Sequence, residues 1–397
     1  MRVLQINAVY KTKSTGRIMM EMHKYFQSRG IESYAAYATE NTDTSADPNV
    51  FRIGSTLDHK IHAAAYRIDN MQGCHSVFAT KKLINKIKSL KSDVVLTHNL
   101  HSNYVHVPML FKALKDLNIA VVPALHDCWF LTGGCYHYTA SGCDKWKNGC
   151  AFCAKLGSAA EKKYRINCEM FDYVRPTVVA TSKWIEGQAK QSLLAKRSDI
   201  VMIYDWIDMQ TFRPKDGGAV RKKLGLGEKT MILGVSAGWS ADKGSEKMTE
   251  IALAMPDAAV VLVGAQPKNA QYPENVITIP FTDSKEELSQ LYSAADVFFN
   301  PSKQETFGLV SGEALSCGTP LVVYNTTACP EFVTEYTGVV MENRQAAVSA
   351  VREVLEKNKK YGRGFISEKC AAFAAENFSM ERNIDRYIEL FEKISKA

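Results

Sequence analysis

The chain has 397 residues, of which 46% are hydrophobic and 23% charged, a composition typical of a globular protein long enough for two domains. Its net charge of +7 is mildly basic and, with no block of five or six Lys/Arg residues, too diffuse to indicate a nucleic-acid partner. A basic balance suits nucleotide phosphates or an anionic membrane face.

Targeting and membrane signals are absent from the sequence pattern. No run of about 20 apolar residues occurs, so no transmembrane helix is predicted. The start, Met1–Asn7, has no long apolar segment or cleavage site of the kind that signal peptides carry. We therefore expect a cytoplasmic protein with a peripheral contact to the inner membrane face, and we expect its ten cysteines to be thiols or metal ligands more often than disulfides.

In the first half of the chain, strand and helix patterns alternate. Arg2–Ala8 is predicted as a buried strand, and Ile18–Arg29 as a helix that Gly30 ends. The same patterns predict strands at Ser33–Tyr37, Asp93–Thr97, Ile119–Ala124, Val178–Ala180 and Ile200–Ile203, and a helix at Val107–Leu117. Such alternation is typical of a parallel sheet with right-handed crossovers.

The alternation restarts after a junction at Asp205–Gly227. Strands are predicted at Thr230–Val235, Ala259–Gly264, Val276–Ile279, Val297–Asn300 and Pro320–Tyr324, and helices at Gly244–Met255, Lys285–Ala294, Gly308–Ser316 and Met380–Ile394. The predicted fold class is α/β, with two doubly wound Rossmann-like domains, residues 1–205 and 206–378, facing across a cleft. The last residues, 379–397, are predicted as a helix that packs back on the first domain.

One loop in the second half joins two carboxylates to a helix start. Glu305 lies in the loop after strand Val297–Asn300, and Phe307-Gly308 opens a helix that carries Glu313. Carboxylates accept hydrogen bonds from sugar hydroxyls, and the amides of a helix's first turn suit a diphosphate. The plain alternative is an unrelated loop Glu and a helix-start Glu favoured by the helix dipole.

This loop lies within a longer pattern. The stretches PSKQETFGLVSGEALSCGTPLV (Pro301–Val322), GWSADKG (Gly238–Gly244) and EELSQLYSAADVFF (Glu286–Phe299) resemble the glycogen-synthase-like clan of retaining glycosyltransferases, family four. The first half adds LHDCWFLTGGC, TSKWI and LQINAVYKTKSTGRI, which start at Leu125, Thr181 and Leu4. The resemblance implies the two-domain GT-B fold, a nucleotide-sugar donor and no obligatory catalytic metal.

The resemblance also implies roles for single residues of the second half. Glu313 corresponds to the acid that holds the nucleotide ribose, Glu305 to the acid near the donor sugar, and Lys243 to the lysine that neutralises the diphosphate. Further donor-binding positions are Ser240, Phe307, Gly308, Leu309 and Val310, the last four through backbone amides. Many relatives carry an arginine where this chain has Trp239, which puts a two-cation clamp in doubt.

Candidates in the first half stand near strand ends. By the resemblance, Gly16 in a loop before the first helix faces the donor, and His126 lies beside the donor sugar. His98 and His101 follow strand Asp93–Thr97 and are acceptor-side candidates. A plain turn at Gly16 and ordinary loop histidines at the last two positions are the alternatives.

Four cysteines cluster in an insert at about residues 128–155: Cys135, Cys143, Cys150 and Cys153. Four thiols can bind a structural zinc tetrahedrally, and the last two have the spacing of a zinc knuckle. Free thiols and a disulfide are the alternatives. A zinc ribbon that binds nucleic acid is disfavoured because no concentrated basic and aromatic surface accompanies the cluster.

These features together predict transfer of a hexose, with retention, from a UDP- or GDP-sugar to a hydroxyl of a glycan or lipid-linked acceptor in polysaccharide synthesis. The retaining step is expected as a front-face substitution, by analogy with the family. A sugar phosphorylase or nucleotide-sugar epimerase of the same fold is one alternative. A non-catalytic nucleotide-sugar binding or scaffold protein is another, against which Glu305, Glu313 and Lys243 argue.

Overall fold

The computed structural model describes residues 1–39, 46–240, 243–282, 284–343 and 346–395. Ala241 and Asp242, within the GWSADKG stretch, lie outside the described residues. The described residues form two compact units. We call Met1–Tyr204 with Asn383–Ala397 the N-unit, and Asp205–Arg382 the C-unit.

The N-unit is built on a parallel sheet. Its strands are β1 (Arg2–Asn7), β2 (Glu32–Tyr37), β3 (Val50–Arg52), β4 (Val94–Thr97), β5 (Ala120–Leu125), β6 (Thr177–Ala180) and β7 (Asp199–Met202). Among the described residues their order across the sheet is β3-β2-β1-β4-β5-β6-β7. The sheet winds outward in both directions from β1, as in a Rossmann fold, and this confirms the prediction of a doubly wound sheet.

Helices flank this sheet at α1 (Lys13–Ser28), α2 (Thr56–Asp69), α3 (Val77–Leu90), α4 (Val107–Asp116), α5 (Ser158–Val174) and α6 (Lys183–Ala189). Helix α1 begins at Lys13, five residues before the predicted start at Ile18. The prediction misses the first turn because the residues of that turn are mostly polar and show no apolar periodicity. The sequence analysis predicts no element between Tyr37 and Asp93, where the structure has β3, α2 and α3.

The C-unit repeats the arrangement. Its strands are β8 (Met231–Gly238), β9 (Ala259–Ala265), β10 (Val276–Ile279), β11 (Val297–Asn300), β12 (Leu321–Tyr324) and β13 (Gly338–Met341), in the order β10-β9-β8-β11-β12-β13 within the part that the structure describes. Its helices are α7 (Gly218–Lys223), α8 (Ser245–Ala254), α9 (Lys285–Ala294), α10 (Leu309–Ser316), α11 (Ala347–Tyr361) and α12 (Arg363–Phe378). The predicted second doubly wound sheet is therefore confirmed.

The last helix, α13 (Met380–Ile394), has the bounds that the sequence predicts. From Asn383 onward it belongs to the N-unit. Asp385 accepts a hydrogen bond from the Tyr25 hydroxyl at 3.0 Å, and the Phe391 ring lies 6.0 Å from that of Phe26. These contacts attach α13 to α1.

Buried strands supply both cores. All four residues of β4 are buried in the N-unit, as are all four of β11 in the C-unit, since helices cover both faces of a parallel sheet. The strand ends carry the polar side chains described below. No helix within the described ranges is long and apolar enough to cross a membrane.

Candidate functional site

The loop from β11 to α10 is held by a buried asparagine at the end of the strand. The Asn300 amide donates to the Ser311 hydroxyl at 3.0 Å, and its carbonyl accepts from the Ser302 backbone N–H at 3.1 Å. One side chain therefore ties the start of the loop to the first turn of α10. Asn300 is not among the site residues predicted from the sequence, although a polar residue at the end of an apolar strand is a signal that could have identified it.

Helix α10 begins without a capping side chain. Gly308 takes the cap position with φ of 108°, a conformation that glycine adopts and residues with a Cβ resist. The first amides of a helix have no intrahelical acceptor, and the cap residue of α10, a glycine, has no side chain to accept from them. This helix start therefore has the chemistry that suits an anionic group.

Lys243 and Glu305 form an ion pair beside this helix start. The Lys243 ammonium donates to Glu305 Oε1 at 2.8 Å and to the Ser302 hydroxyl at 3.3 Å. An ammonium has three N–H donors, and these two contacts engage two of them within the described residues. The structure thus brings together two of the predicted site residues, with Ser302 as a third member that the sequence analysis missed.

The loop that carries Lys243 approaches the strand end closely. Gly244 has φ of 75°, and a Cβ at this position would meet the Pro301 Cβ at 2.4 Å. The Lys243 backbone N–H donates to the carbonyl and to the hydroxyl of Ser240 at 3.1 and 3.4 Å. Glycine at this position therefore allows Lys243 to reach the β11 loop.

Trp239 contributes no cation to this region. Its side chain is buried, and the indole N–H donates to the Val263 carbonyl at 3.1 Å. The indole therefore packs in the core of the C-unit. The arginine that the resemblance implies for a two-cation clamp therefore has no counterpart in Trp239.

Glu313 lies deeper than Glu305. It is only 3% exposed, and its Oε2 accepts a hydrogen bond from the Tyr292 hydroxyl at 3.1 Å. Tyr292, on α9, is itself fully buried, so the carboxylate is held by a rigid partner. Tyr292 is a third residue, after Asn300 and Ser302, that is not predicted from the sequence.

Among the predicted amide donors, Phe307 has its side chain in the core. Its ring lies 5.1 Å from that of Phe332 and 5.3 Å from that of Phe378. This packing leaves the backbone as the part of Phe307 that can serve a ligand. Leu309 and Val310, in the first turn of α10, are half-buried.

In the N-unit, His126 follows β5 directly and stacks on His98, which follows β4. The rings are 5.2 Å apart, and His98 Nδ1 lies 2.9 Å from His126 Nε2. His98 Nε2 lies 3.1 Å from Oε1, the side-chain amide oxygen of Gln5. His98 is only 2% exposed, and its role as an acceptor-side residue stays a prediction.

The hydrogen bonds of this chain assign the tautomers of both histidines. The side-chain Nε2 of Gln5 donates to the Met19 backbone carbonyl at 3.3 Å. The side-chain oxygen of Gln5, Oε1, therefore faces His98. His98 must then donate from Nε2 and accept at Nδ1, so His126 donates from Nε2. Burial first, and the neighbouring His126 second, hold the pKa of His98 well below its ordinary value, so His98 stays neutral.

His101 pairs with a carboxylate at the same sheet edge. Its Nε2 lies 2.7 Å from Asp127 Oδ2, and Asp127 Oδ1 accepts from the Trp129 backbone N–H at 2.8 Å. The His101 ring also lies 4.4 Å from that of Tyr136. His101, unlike His98, is partly exposed, and its role as an acceptor-side residue also stays a prediction.

Gly16 does not lie in the predicted loop. It is in the first turn of α1 and is buried, and a Cβ there would stand 3.1 Å from Val9 Cγ2. Its carbonyl accepts from the Lys11 N–H at 3.0 Å, which closes the turn before the helix. Glycine is needed there for close packing between α1 and the end of β1.

The thiols of Cys135, Cys143 and Cys153 lie close enough to Cys150 to affect its pKa. The pKa of Cys150 is raised to about 11, chiefly by burial and to a smaller extent by those three thiols. All ten cysteines are free thiols, and among the residues described no group of three or more His, Cys, Asp or Glu side chains is arranged to hold a metal ion. The N–H of Gly133 donates to Cys150 Sγ at 3.1 Å.

Most of the C-unit matches a known protein family. Residues 219–369 match the protein family described as Glycosyl transferases group 1. The match includes Lys243, Glu305 and Glu313, which are the three charged residues of the candidate site.

A curated relative shares sequence over a similar length. The GDP-mannose-dependent alpha-(1-6)-phosphatidylinositol dimannoside mannosyltransferase of Mycobacterium tuberculosis (strain ATCC 25177 / H37Ra) is 32% identical over 187 residues. That match covers 44% of this chain and 48% of the relative. The chain thus spans about half the length of the curated relatives it matches.

Solved structures share the fold over nearly the whole chain. The sucrose-phosphate synthase of Thermosynechococcus elongatus has a TM-score of 0.74 at 15% identity and covers 99% of this chain and 98% of its own. Anabaena Alr3699/HepE, solved in complex with UDP and glucose, has a TM-score of 0.70 at 16% identity and covers 99% and 100%. At these identities the likeness establishes the α/β fold class.

Proposed function

We propose that this protein is a cytoplasmic, retaining glycosyltransferase of family four that moves a hexose from a UDP- or GDP-sugar to a hydroxyl of a glycan or lipid-linked acceptor in polysaccharide synthesis. The observation that carries the proposal is the Lys243–Glu305 ion pair at the uncapped start of α10, inside the region that matches group 1 glycosyl transferases. It joins a cation, a carboxylate and helix amides, the groups that a nucleoside diphosphate sugar requires.

In this proposal Lys243 stabilises the charge that develops on the departing diphosphate. Its third N–H donor meets a phosphate oxygen while Glu305 and Ser302 keep the ammonium in place. Glu313, oriented by Tyr292, accepts hydrogen bonds from the ribose hydroxyls. Catalysis then rests mainly on charge stabilisation of the leaving group, and no catalytic metal is required.

The proposed chemical step is a front-face substitution. The bond from the sugar's anomeric carbon to the diphosphate oxygen breaks, and the acceptor oxygen forms its bond on the same face. The acceptor proton passes to the departing phosphate oxygen. His126 is kept in the proposal as a positioning group for the donor sugar, and its Nε2 lies 2.9 Å from His98 Nδ1.

Donor and acceptor classes are proposed from what the relatives are named for. The mycobacterial relative is named for GDP-mannose and a phosphatidylinositol dimannoside acceptor, and the Anabaena structure holds UDP and glucose. Both support a nucleoside diphosphate donor, and the first supports a lipid-linked acceptor with peripheral membrane contact.

Turnover with a nucleotide sugar tests the proposal. The chain should release nucleoside diphosphate from one sugar donor, and product NMR should show the donor's anomeric configuration retained. Glu305→Ala should abolish the release. Release that requires inorganic phosphate would identify a phosphorylase, conversion of the donor sugar without release would identify an epimerase, and binding without either would identify a non-catalytic protein.

A further inference from the structure

Helix α2 presents an aliphatic stripe to solvent. Leu57, Ile61 and Ile68 are 65%, 60% and 87% exposed. At ~100° of rotation per residue, the three lie within about 40° of one another around the helix. His62 on the opposite face is buried, so the stripe is the outward side of a helix that packs by its other side. Aliphatic side chains exposed in line mark an interaction surface more often than a random surface position.

The start of α3 extends this apolar surface. Phe78 is 78% exposed, and Val77 before it is 36% exposed. The two helices are joined by His62, whose Nδ1 lies 2.8 Å from the Ser76 hydroxyl just before α3. Phe78 also lines a groove of about 480 Å³ with Ser55 and Asp58 from the beginning of α2. We call the outward residues of α2 and α3 the α2–α3 face.

The segment that contains α2 and α3 is strongly basic. Residues 52–91 hold eight Lys/Arg against two Asp, a net charge of +6, whereas the whole chain carries +7. All eight basic residues are exposed: Arg52, Lys60, Arg67, Lys81, Lys82, Lys86, Lys88 and Lys91. The two helices and the residues beside them therefore carry an excess of exposed positive charge.

We propose that the α2–α3 face docks on an anionic lipid bilayer, with the aliphatic stripe and Phe78 entering the headgroup region and the basic side chains bound to lipid phosphates. Exposed aliphatic side chains beside concentrated positive charge are the two features that interfacial helices combine. A second copy of this chain would bring two faces of +6 together, so charge complementarity favours the bilayer as the occupant.

The side of α2 turned away from the aliphatic stripe is next to the loop that follows His101. A second groove, of about 430 Å³, is lined by His59 and Ala63 of α2 together with Ser102 and Asn103. These two residues directly follow His101, the acceptor-side candidate. If the proposed function holds, α2 separates the docked bilayer from the loop between β4 and α4 by one helix diameter, ~10 Å.

Vesicle sedimentation of the full chain tests the docking without any sugar donor. We expect binding to vesicles of phosphatidylcholine with a quarter phosphatidylglycerol, and little binding to pure phosphatidylcholine. Ile61→Ser/Ile68→Ser should weaken binding about tenfold or more. Lys81→Gln/Lys82→Gln should do the same, and raising the salt concentration should weaken the wild type.

Matched control variants lie in the C-unit. Leu253→Ser removes an equally exposed aliphatic side chain from α8, and Lys222→Gln/Lys223→Gln removes two exposed lysines from α7. Both should bind vesicles as the wild type does. Nucleotide binding, measured separately, should be unchanged in all four variants, so that failure of docking is distinguished from failure of the proposed activity.

Three results would overturn the proposal. One is the absence of binding to anionic vesicles, and another is binding that the stripe and lysine variants leave unchanged. The third is a concentration-dependent dimer in sedimentation velocity that Ile61→Ser/Ile68→Ser abolishes, which would make a second copy the occupant of the face.

Discussion

Lys243 donates a 2.8 Å hydrogen bond to the carboxylate of Glu305, and this pair joins the β8–α8 loop to the β11–α10 loop. The Lys243 side chain is 43% exposed and that of Glu305 is 20% exposed. An ion pair in so much solvent contributes at most about 1 kcal/mol to stability. Its place at a helix start, not its contribution to folding, is what suggests a role in binding anions.

Lys243→Met should therefore separate activity from stability. We expect the melting temperature to change little and kcat/KM for sugar transfer to fall roughly 10²- to 10³-fold, because the leaving diphosphate loses its cation. Lys359→Met, which breaks the exposed 2.8 Å pair with Glu356 on α11, is the matched control and should keep full activity. Equal rates for both variants would argue against the assigned role.

Gly244→Ala should destabilise the C-unit by more than backbone strain alone. Gly244 and Gly225 both have positive φ, but a Cβ at Gly244 would meet Pro301 at 2.4 Å, whereas nothing lies within 4 Å of a Cβ at Gly225. Gly225→Ala measures the strain, and Gly244→Ala adds an overpacking cost of about 1–3 kcal/mol. Thermal unfolding measures the difference, and equal losses would mean that the close approach to Pro301 is absent.

His98 should make the stability of the N-unit depend on pH. Burial lowers its folded pKa, so below about pH 6.5 the unfolded chain binds a proton that the folded chain does not. Stability should then fall as the pH drops from 7.5 to 5.5, at up to about 1.4 kcal/mol per pH unit for this group.

His98→Asn tests this dependence by urea unfolding at several pH values. The variant should show a smaller loss of stability on acidification than the wild type, even if it is less stable at pH 7.5. Burial also lowers the pKa of His23 and His62, but these residues are present in both proteins, and their contributions cancel in the comparison. Parallel pH profiles would contradict a neutral, buried His98.

Two thiols of the cysteine cluster, Cys135 and Cys150, should react slowly. Burial raises the pKa of Cys150 to about 11 and also raises that of Cys135, so at pH 8 both thiols should alkylate much more slowly than an ordinary thiol. A chelator should leave the rate unchanged. Zinc bound at one ion per chain, with alkylation accelerated by a chelator, would contradict the free-thiol arrangement and support the zinc interpretation.

Apolar strands and the α10 loop could be predicted because their signals are local. Val94–Thr97 and Val297–Asn300 are short apolar runs, and Gly308 before an apolar helix marks a helix start. The region from Val50 to Leu90 could not be predicted in the same way. Helix α2 carries its aliphatic residues on the solvent side, so its pattern does not indicate which face is buried.

The side chains that hydrogen-bond to the site residues could not be predicted from the sequence either. Tyr292 reaches Glu313 from a different helix, and Gln5 reaches His98 from a strand 93 residues away. Such contacts depend on how strands and helices pack, which no local spacing records. His98 and His101 look alike as loop histidines, and only the fold distinguishes the buried ring from the partly exposed one.

The most direct test of the central claim is isothermal titration of the chain with UDP, GDP, ADP and CMP and their common sugars, beside Glu313→Ala and Tyr292→Phe. We expect one nucleoside diphosphate to bind and Glu313→Ala to abolish this binding. Tyr292→Phe should weaken the binding free energy by about 0.5–1.5 kcal/mol, the contribution of one hydrogen bond. Binding of no nucleotide at millimolar concentration, or binding that Glu313→Ala leaves intact, would contradict the account.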